Sequence, residues 1–90
     1  MRAAKVDTNQ PEIVEALRAV GATVFLLHRV GHGCPDILVG YQGKNYLLEI
    51  KTEHGTLTPP EARFIADWRG QVLVVRTIEE AMRAIGALIV

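Results

Sequence analysis

The feature that most constrains the fold is a pair of apolar runs of strand length, residues 36–41 and 46–51, separated by only four residues. So short a connection joins antiparallel neighbours, because parallel strands need a crossover of about a dozen residues or more. A β-rich segment over residues 23–28 comes earlier, so we expect a three-stranded meander. The continuous apolar run over residues 72–75 predicts a fourth strand, covered on both faces. Reached through a helix, this strand implies a mixed sheet with a right-handed crossover.

Three further segments carry the signals of helices. Residues 9–20 place apolar side chains at helical spacing and run into Gly21, a typical C-terminal cap. Residues 58–61, Thr-Pro-Pro-Glu, have the spacing of a capping box and open a second helix that Gly70 closes. Residues 77–80, Thr-Ile-Glu-Glu, repeat that spacing before a third helix. The predicted order of elements is α-β-β-β-α-β-α.

Length and composition fit one folded domain over residues 1–90. Hydrophobic residues make up 49% of the chain and charged residues 22%, which excludes a disordered protein. The single Cys34 cannot form a disulfide within the chain, so we expect a reducing, cytoplasmic environment. No run approaches the roughly 18 apolar residues of a membrane span, and the N-terminus lacks the apolar stretch of a signal peptide. We therefore expect a protein that is neither exported nor inserted in a membrane.

The overall charge gives no sign of a nucleic-acid partner. Ten Lys and Arg residues balance ten Asp and Glu residues, whereas a basic excess is typical of DNA-binding proteins. If Glu12, Asp36 and Glu49 belong to a metal site, however, the remainder of the chain has an excess of three positive charges. A divalent ion would offset the acids in the site itself. Neutrality therefore does not exclude DNA as a substrate.

The polar residues at the ends of the hairpin strands form a pattern with chemical meaning. Side chains two apart on a strand share a face, so Glu49 and Lys51 point to one side of the sheet. With Gly43 and Lys44 as a two-residue turn, Asp36 faces Lys51 directly. Glu49 then lies diagonally from Asp36, at roughly 7–8 Å between backbones, and the two carboxylates can close around one ion.

Two carboxylates and the backbone carbonyl of Ile50 are the hard oxygen ligands that Mg²⁺ prefers, and we expect Mn²⁺ to substitute. Beside such an ion, Lys51 can orient or help deprotonate the attacking water, or stabilise a phosphorane-like transition state. The pattern therefore indicates metal-assisted phosphodiester hydrolysis. Glu12, at the edge of the buried stripe of the first helix, is a candidate third acid. Its alternative role is that of a first-turn acid that complements the helix dipole.

These residues match a known signature. Residues 33–36, Gly-Cys-Pro-Asp, followed by residues 49–51, Glu-Ile-Lys, resemble the motif of PD-(D/E)xK nucleases, which have a restriction-endonuclease-like α/β core. The fuller pattern resembles the virus-type replication-repair nuclease (VRR-NUC) family over nearly the whole chain. It adds residues 9–12, 27–31, 57–59 and 68–70. The resemblance implies a metal-dependent, structure-selective DNA endonuclease of a bacterial or phage-infected cell. It would cut branched DNA such as Holliday junctions as a homodimer, without an organic cofactor.

By the same resemblance, Asp36 and Glu49 are metal ligands, Lys51 is catalytic and Glu12 is an auxiliary acid, with Ile50 supplying its carbonyl to the metal. The chain departs from the family pattern in two ways. Many relatives carry a glutamine on the helix after the motif, where this chain has Glu61. The capping box explains Glu61, and the alternative is a role in the site. The loop after Lys51 is short and has no basic run, so the substrate contacts stay open.

Several alternatives accompany this interpretation. The main one is a catalytically silent DNA-binding or assembly module that keeps the nuclease fold, and others are a restriction-type or a flap nuclease. His28, His32 and Cys34 also suggest zinc, since imidazole and thiolate are its usual ligands, but no matched fourth ligand is apparent. The expected DNA contacts are Arg29, Lys44 and His28. Further basic candidates are Arg63, Arg69 and Arg76.

Apolar residues remain for a second copy of the chain. Phe64, Ile65 and Trp68 share the apolar face of the second helix, where packing in the core or in a dimer outweighs base stacking. The C-terminal segment, residues 85–90, is also largely apolar. We expect one or both to contribute to a homodimer interface, because the sheet face that carries the acids must stay open to DNA.

Overall fold

A computed structural model describes residues 8–88 of the chain. Within that range the element order is the predicted α-β-β-β-α-β-α, which confirms the α/β fold class. Among these residues, no helix is long and apolar enough to span a membrane. The elements are α1 (Gln10–Ala19), β1 (Thr23–Leu26), β2 (Ile37–Tyr41), β3 (Lys44–Ile50), α2 (Pro59–Asp67), β4 (Val72–Val75) and α3 (Ile78–Ala84).

The four strands form one sheet in the order β1-β2-β3-β4. The first three strands are antiparallel neighbours and β4 runs parallel to β3, so the meander and the mixed sheet are both confirmed. The expectation that β4 is covered on both faces is wrong. β4 is an edge strand in which only Val75 is fully buried, while Leu73 is exposed. The apolar run thus predicted the strand correctly, but it did not predict that the strand is partly exposed.

The β2–β3 hairpin turns at Gln42 and Gly43, not at the predicted Gly43 and Lys44. Both residues have positive φ angles, 49° and 80°, as a two-residue type I′ turn requires. Tyr41 therefore pairs with Lys44. The pairing differs from the expected one by two residues, and every side chain keeps its predicted face because side chains alternate with a period of two.

The hydrophobic core lies on one face of the sheet, beneath α1 and α3. Ile13 and Leu17 of α1 are fully buried, as their helical spacing predicts, and Gly21 follows the helix with a φ of +94°. Val20, by contrast, is an exposed C-cap residue. The remaining buried core residues are Val14, Ala22, Val24, Ile37, Val39, Tyr46, Leu48, Ile50, Val75, Ala81 and Ile85.

α2 packs differently from the other two helices, because none of its residues is fully buried. The helix ends at Asp67, before the predicted stop at Gly70. The rings of Phe64 and Trp68 stack at 5.1 Å between centroids, and Trp68 is 46% exposed. Trp68 is therefore no core residue of the single chain.

The sheet face opposite α1 and α3 carries an apolar row across all four strands. Phe25 pairs with Leu38, Leu38 with Leu47, and Leu47 with Val72. Phe25 is 67% exposed, although a phenylalanine usually belongs to a core. Leu38 and Leu47 also line a groove of about 440 Å³ with Trp68 of α2. We refer to these four paired residues as the apolar row.

Candidate active site

The predicted acids meet where β2 begins and β3 ends. Continuing the β2–β3 register sets Asp36 opposite Glu49, so the expected direct pairing of Asp36 with Lys51 is wrong, a consequence of the type I′ turn. The Asp36 amide donates to the Leu48 carbonyl at 3.1 Å. Its Oδ2 accepts from the Ile50 amide at 2.6 Å. These bonds fix the Asp36 carboxylate at the end of the sheet.

Glu49 is a buried carboxylate, with 2% of its surface exposed. Its Oε1 has no hydrogen-bond partner within residues 8–88. Burial raises the pKa of Glu49 to about 9, and the charge of Asp36, a hydrogen bond with Asp36 and the charge of Glu61 act in the same direction. Lys51 opposes this shift. The Glu49 carboxyl is therefore protonated near neutral pH when no cation is bound.

Lys51 lies between two carboxylates. Its Nζ is 2.8 Å from Oε1 of Glu61 and 3.6 Å from Oε2 of Glu49, and only 12% of its side chain is exposed. The backbone of Lys51 continues the sheet, because its amide donates to the Val75 carbonyl at 3.0 Å. The strand thus fixes the position of the Lys51 backbone, and the two carboxyl groups fix the position of its Nζ.

Glu61 combines two contacts through one atom. Its Oε1 accepts from the Thr58 amide at 2.8 Å and also contacts Lys51, while its own amide donates to Oγ1 of Thr58 at 3.4 Å. Burial raises the pKa of Glu61, but the hydrogen bonds with Lys51 and Thr58 and the Lys51 charge outweigh it and lower the pKa overall. The capping box is confirmed, and the contact with Lys51 was missed. The short loop after Lys51 was the available signal, since it keeps α2 close to the motif.

The loop that leads to Asp36 touches the start of α2. Gly33 has a φ of +77°, and a Cβ atom at this position would overlap the Pro60 carbonyl and lie 2.9 Å from the Glu61 amide. Only glycine combines this backbone angle with so close an approach. The fully buried Pro35 follows in the same loop. Asp36 and Glu61 thus sit on segments that pack directly against each other.

The N-terminus of α2 offers no free backbone amide to a phosphate group. Pro59 and Pro60 have no N–H, the Glu61 amide donates to Oγ1 of Thr58, and the Ala62 amide donates to the Thr58 carbonyl at 2.9 Å. A helix N-terminus often binds anions through its amides. Here its contribution to the site is the negative charge of Glu61.

Two side chains distant in sequence support the end of β3. Nδ2 of Asn9 donates to the Lys51 carbonyl at 3.1 Å and to the Arg76 carbonyl at 3.0 Å, which ties β3 to β4. Nη1 of Arg76 donates to the carbonyls of Thr52 at 2.6 Å and Gly55 at 2.7 Å. Arg76, a candidate DNA contact by sequence, therefore holds the loop after Lys51. No local pattern predicts contacts over such separations in sequence.

The structure does not gather the other predicted ligands with the acid pair. Glu12 is exposed in the first turn of α1, a position that suits the helix dipole. Within the described part of the chain, no three His, Cys, Asp or Glu residues come close enough to hold a metal ion. The zinc alternative therefore finds no cluster of His28, His32 and Cys34. Glu12 stays a prediction from the family resemblance.

Cys34 lies close enough to the acids to respond to their charge. Burial raises the pKa of the Cys34 thiol, and the charges of Glu49 and Asp36 raise it further. The thiol is consequently protonated near neutral pH. This fits a small packed residue beside Pro35 and not a nucleophile.

The three predicted DNA contacts lie in different places. Arg29 is exposed in the loop between β1 and β2, the loop that ends at Asp36. His28, in the same loop, is partly buried, and its Nδ1 has no hydrogen-bond partner among the described residues. Lys44 is exposed at the other end of β3 from Glu49, about 17 Å away at roughly 3.4 Å per residue.

The acid pair could hold a divalent cation. Asp36 and Glu49 offer carboxylate oxygens, and Oε1 of Glu49 lacks the hydrogen-bond partner that a buried polar atom requires. Hard oxygen donors of this kind suit Mg²⁺ or Mn²⁺. The backbone of Ile50 lies beside Asp36 and offers a further carbonyl. The donor set therefore fits the predicted metal.

The fold and the site together define a nuclease-fold α/β domain. A solved structure of a VRR_NUC domain aligns with a TM-score of 0.70 over 92% of this chain and 100% of that chain, at 24% sequence identity. The chain has the VRR-NUC fold, and the resemblance inferred from its motifs is confirmed at that level. No family model matches the sequence. No curated protein matches it either.

Proposed function

We propose that this chain is a metal-dependent DNA endonuclease in which Asp36, Glu49 and Lys51 are the catalytic residues. The observation that carries the proposal is the contact between two carboxylates, one of them almost fully buried with an unpartnered oxygen. Such an arrangement is unfavourable for stability and is typical of functional sites. Lys51 beside the pair completes the set that phosphodiester hydrolysis requires.

Asp36 and Glu49, with the carbonyl of Ile50, would hold Mg²⁺ or Mn²⁺. Such an ion lowers the pKa of a bound water and polarises a phosphodiester oxygen. Lys51, placed between two carboxyl groups, donates hydrogen bonds to the negative charge that develops on the phosphate. Glu12 is an auxiliary acid in this proposal, as the family resemblance implies.

We further propose branched DNA, such as a four-way junction, as the substrate of a homodimer. A junction requires two symmetric cuts, and one chain carries one Asp36/Glu49/Lys51 site, so two copies related by a two-fold axis are needed. The exposed Phe25 and Leu38 of the apolar row, together with Trp68 of α2, support a second copy as partner. Ile89 and Val90, also expected at this interface, lie outside the described residues.

The acids need not compete with this interface for space. They lie at the end of β3 and the start of β2, whereas the apolar row crosses the middle of the same sheet face. DNA can therefore approach from the end of the sheet while a second copy covers the row. Arg29, in the loop at the same end, remains the first choice for a phosphate contact, with His28 nearby and Lys44 more distant.

Cleavage assays on branched and linear DNA test the proposal. Purified protein with Mg²⁺ should cut a four-way junction faster than duplexes of many sequences, and Asp36→Ala, Glu49→Ala and Lys51→Ala should each abolish cutting. Undiminished cutting by Glu49→Ala would refute the assignment. Binding without a divalent ion and without any nick would indicate the silent module. Cuts at one duplex sequence would indicate a restriction-type enzyme, and unpaired cuts at flaps would remove junction resolution.

A binding measurement separates metal binding from catalysis. Mg²⁺ should raise the Tm of the wild-type protein, because a ligand that binds only the folded state stabilises it by about 2.7 kcal/mol at a hundredfold excess over Kd. Asp36→Asn should lose this response, whereas Lys51→Met should keep it. Equal responses in all three proteins would place the cation elsewhere.

A further inference from the structure

Glu61 belongs to the capping box of α2 and also contacts the predicted catalytic lysine. Its Oε1 lies 2.8 Å from Nζ of Lys51 and accepts from the Thr58 amide at the same distance. We propose that Glu61 is a positioning residue, whose carboxylate holds the Lys51 ammonium against Glu49. The role of Lys51 itself rests on the proposed function.

Two structural restraints make Glu61 suitable for this task. Its Oε1 is fixed by the Thr58 amide, a backbone donor that no side-chain substitution removes. Its own amide lies where a side chain on Gly33 would clash, so the loop that carries Asp36 restrains the start of α2. The acceptor atom is therefore fixed before it meets Lys51.

Lys51 needs such a restraint. Its side chain is a flexible four-carbon stem, and its other carboxylate neighbour, Glu49, is farther away at 3.6 Å. Glu61 supplies the shorter contact, and its side chain is only 20% exposed. Its orientation towards Lys51 is what a purely structural cap does not explain.

A spectroscopic measurement on the full chain tests the contact without metal or DNA. In ¹⁵N NMR, the ammonium of Lys51 should give a protected, slowly exchanging signal, and that of the exposed Lys44 should not. Glu61→Ala should abolish the Lys51 signal. The matched control is Thr58→Ala, which removes Oγ1 from the same capping box but leaves the carboxylate, and it should keep the signal. Persistence of the signal in Glu61→Ala would overturn the proposal.

Steady-state kinetics with saturating Mg²⁺ test the consequence. Misplacing a catalytic group by about 1 Å costs on the order of 100-fold in rate, so Glu61→Ala should lower kcat by roughly 10- to 100-fold with a smaller change in KM. Glu61→Gln keeps an acceptor oxygen and should retain kcat within about threefold. Thr58→Ala should lower the Tm while leaving kcat near the wild-type value.

The outcomes are decisive in each case. An equal loss of kcat in Thr58→Ala and Glu61→Ala would show that helix capping alone matters, and failure of Glu61→Gln to restore kcat would also overturn positioning. If Glu61→Ala does not fold, Glu61→Ser replaces it, because serine cannot reach Lys51. If the wild-type protein cuts no DNA, the proposed function fails, but the NMR comparison still decides whether Glu61 holds Lys51.

Discussion

At the scale of single residues, Glu49 shows the clearest conflict between stability and function. Its carboxylate is removed from water, contacts a second acid and leaves one oxygen without a partner within the described residues. A protein under selection for stability alone would place an amide or an apolar side chain there. The conflict disappears if the pair binds a cation, so the stability of the metal-free protein reports on the site.

Glu49→Gln should stabilise the metal-free protein above neutral pH. Because the folded-state pKa of Glu49 is raised from its ordinary 4.5 to about 9, its contribution to stability is fully present below the ordinary value and is lost as pH rises towards 9. The wild-type protein should therefore lose about 1–3 kcal/mol of unfolding free energy between about pH 5 and pH 9 that Glu49→Gln does not lose. Denaturant unfolding in the presence of a chelator measures both proteins.

The difference between the two proteins isolates Glu49, since all other titrating groups are shared. Glu61 has the opposite sign, because its pKa is lowered, and its contribution is lost as pH falls. Parallel pH dependences in the wild-type and variant proteins would contradict the burial described for Glu49.

At the scale of elements, the start of α2 packs against the loop that carries Gly33 and Asp36. Gly33→Ala should destabilise the protein by more than the roughly 1–2 kcal/mol that a positive φ costs, because the new methyl group overlaps the Pro60 carbonyl. Gly31→Ala is the matched control, since Gly31 has the same φ of +77° and open space around its Cβ position. Thermal unfolding should rank Gly33→Ala well below Gly31→Ala, and similar Tm values would argue against close packing of this loop on α2.

The sequence predicted the elements and their faces well because those depend on local signals. Helical spacing indicated α1, and the capping box indicated the start of α2 at Thr58. The turn was misplaced because Gly43 suits either position of a two-residue turn, and only its neighbour's backbone angle decides between them. The error shifted the register by two residues, so Asp36 kept its face and changed its partner.

The site was predicted in part, for the same physical reason. The acids and Lys51 follow from strand alternation, a local rule. The contacts of Asn9 with two strand ends depend on how distant segments pack, which no spacing encodes. The contact of Glu61 with Lys51 had only the short loop after Lys51 as its signal. Side chains with a familiar local role, such as a capping glutamate, are where a second role is most easily missed.

At the scale of the whole molecule, the two faces of the sheet differ in how much apolar surface they leave exposed. One face is sealed by α1 and α3, while the other shows the apolar row beside a helix that buries no residue. A chain of this size buries only about 60–70% of its unfolded surface, so leftover apolar area was expected from composition. Its concentration on one face could not be read from the sequence.

Phe25→Glu should weaken the proposed homodimer, because it places a charge at the most exposed residue of the apolar row. Light scattering at micromolar concentration should give a dimer mass for the wild-type protein and a monomer mass for this variant, with paired junction cuts lost. Val20→Glu alters an exposed apolar residue at the end of α1 and serves as the control. A wild-type monomer that still makes paired cuts would indicate assembly only on DNA.

The type I′ turn is a position where the stability of the protein can be raised without changing the residues of the candidate site. Gln42 occupies a left-handed conformation, with φ at 49°, where asparagine is better suited. Gln42→Asn should thus raise the unfolding free energy by about 0.5–1 kcal/mol, without touching any group at the acidic end of the sheet. A stabilising substitution at the hairpin tip can accordingly offset the loss of unfolding free energy caused by substitutions around Glu49. Laboratory evolution of this chain can therefore begin at the hairpin tip without affecting the site.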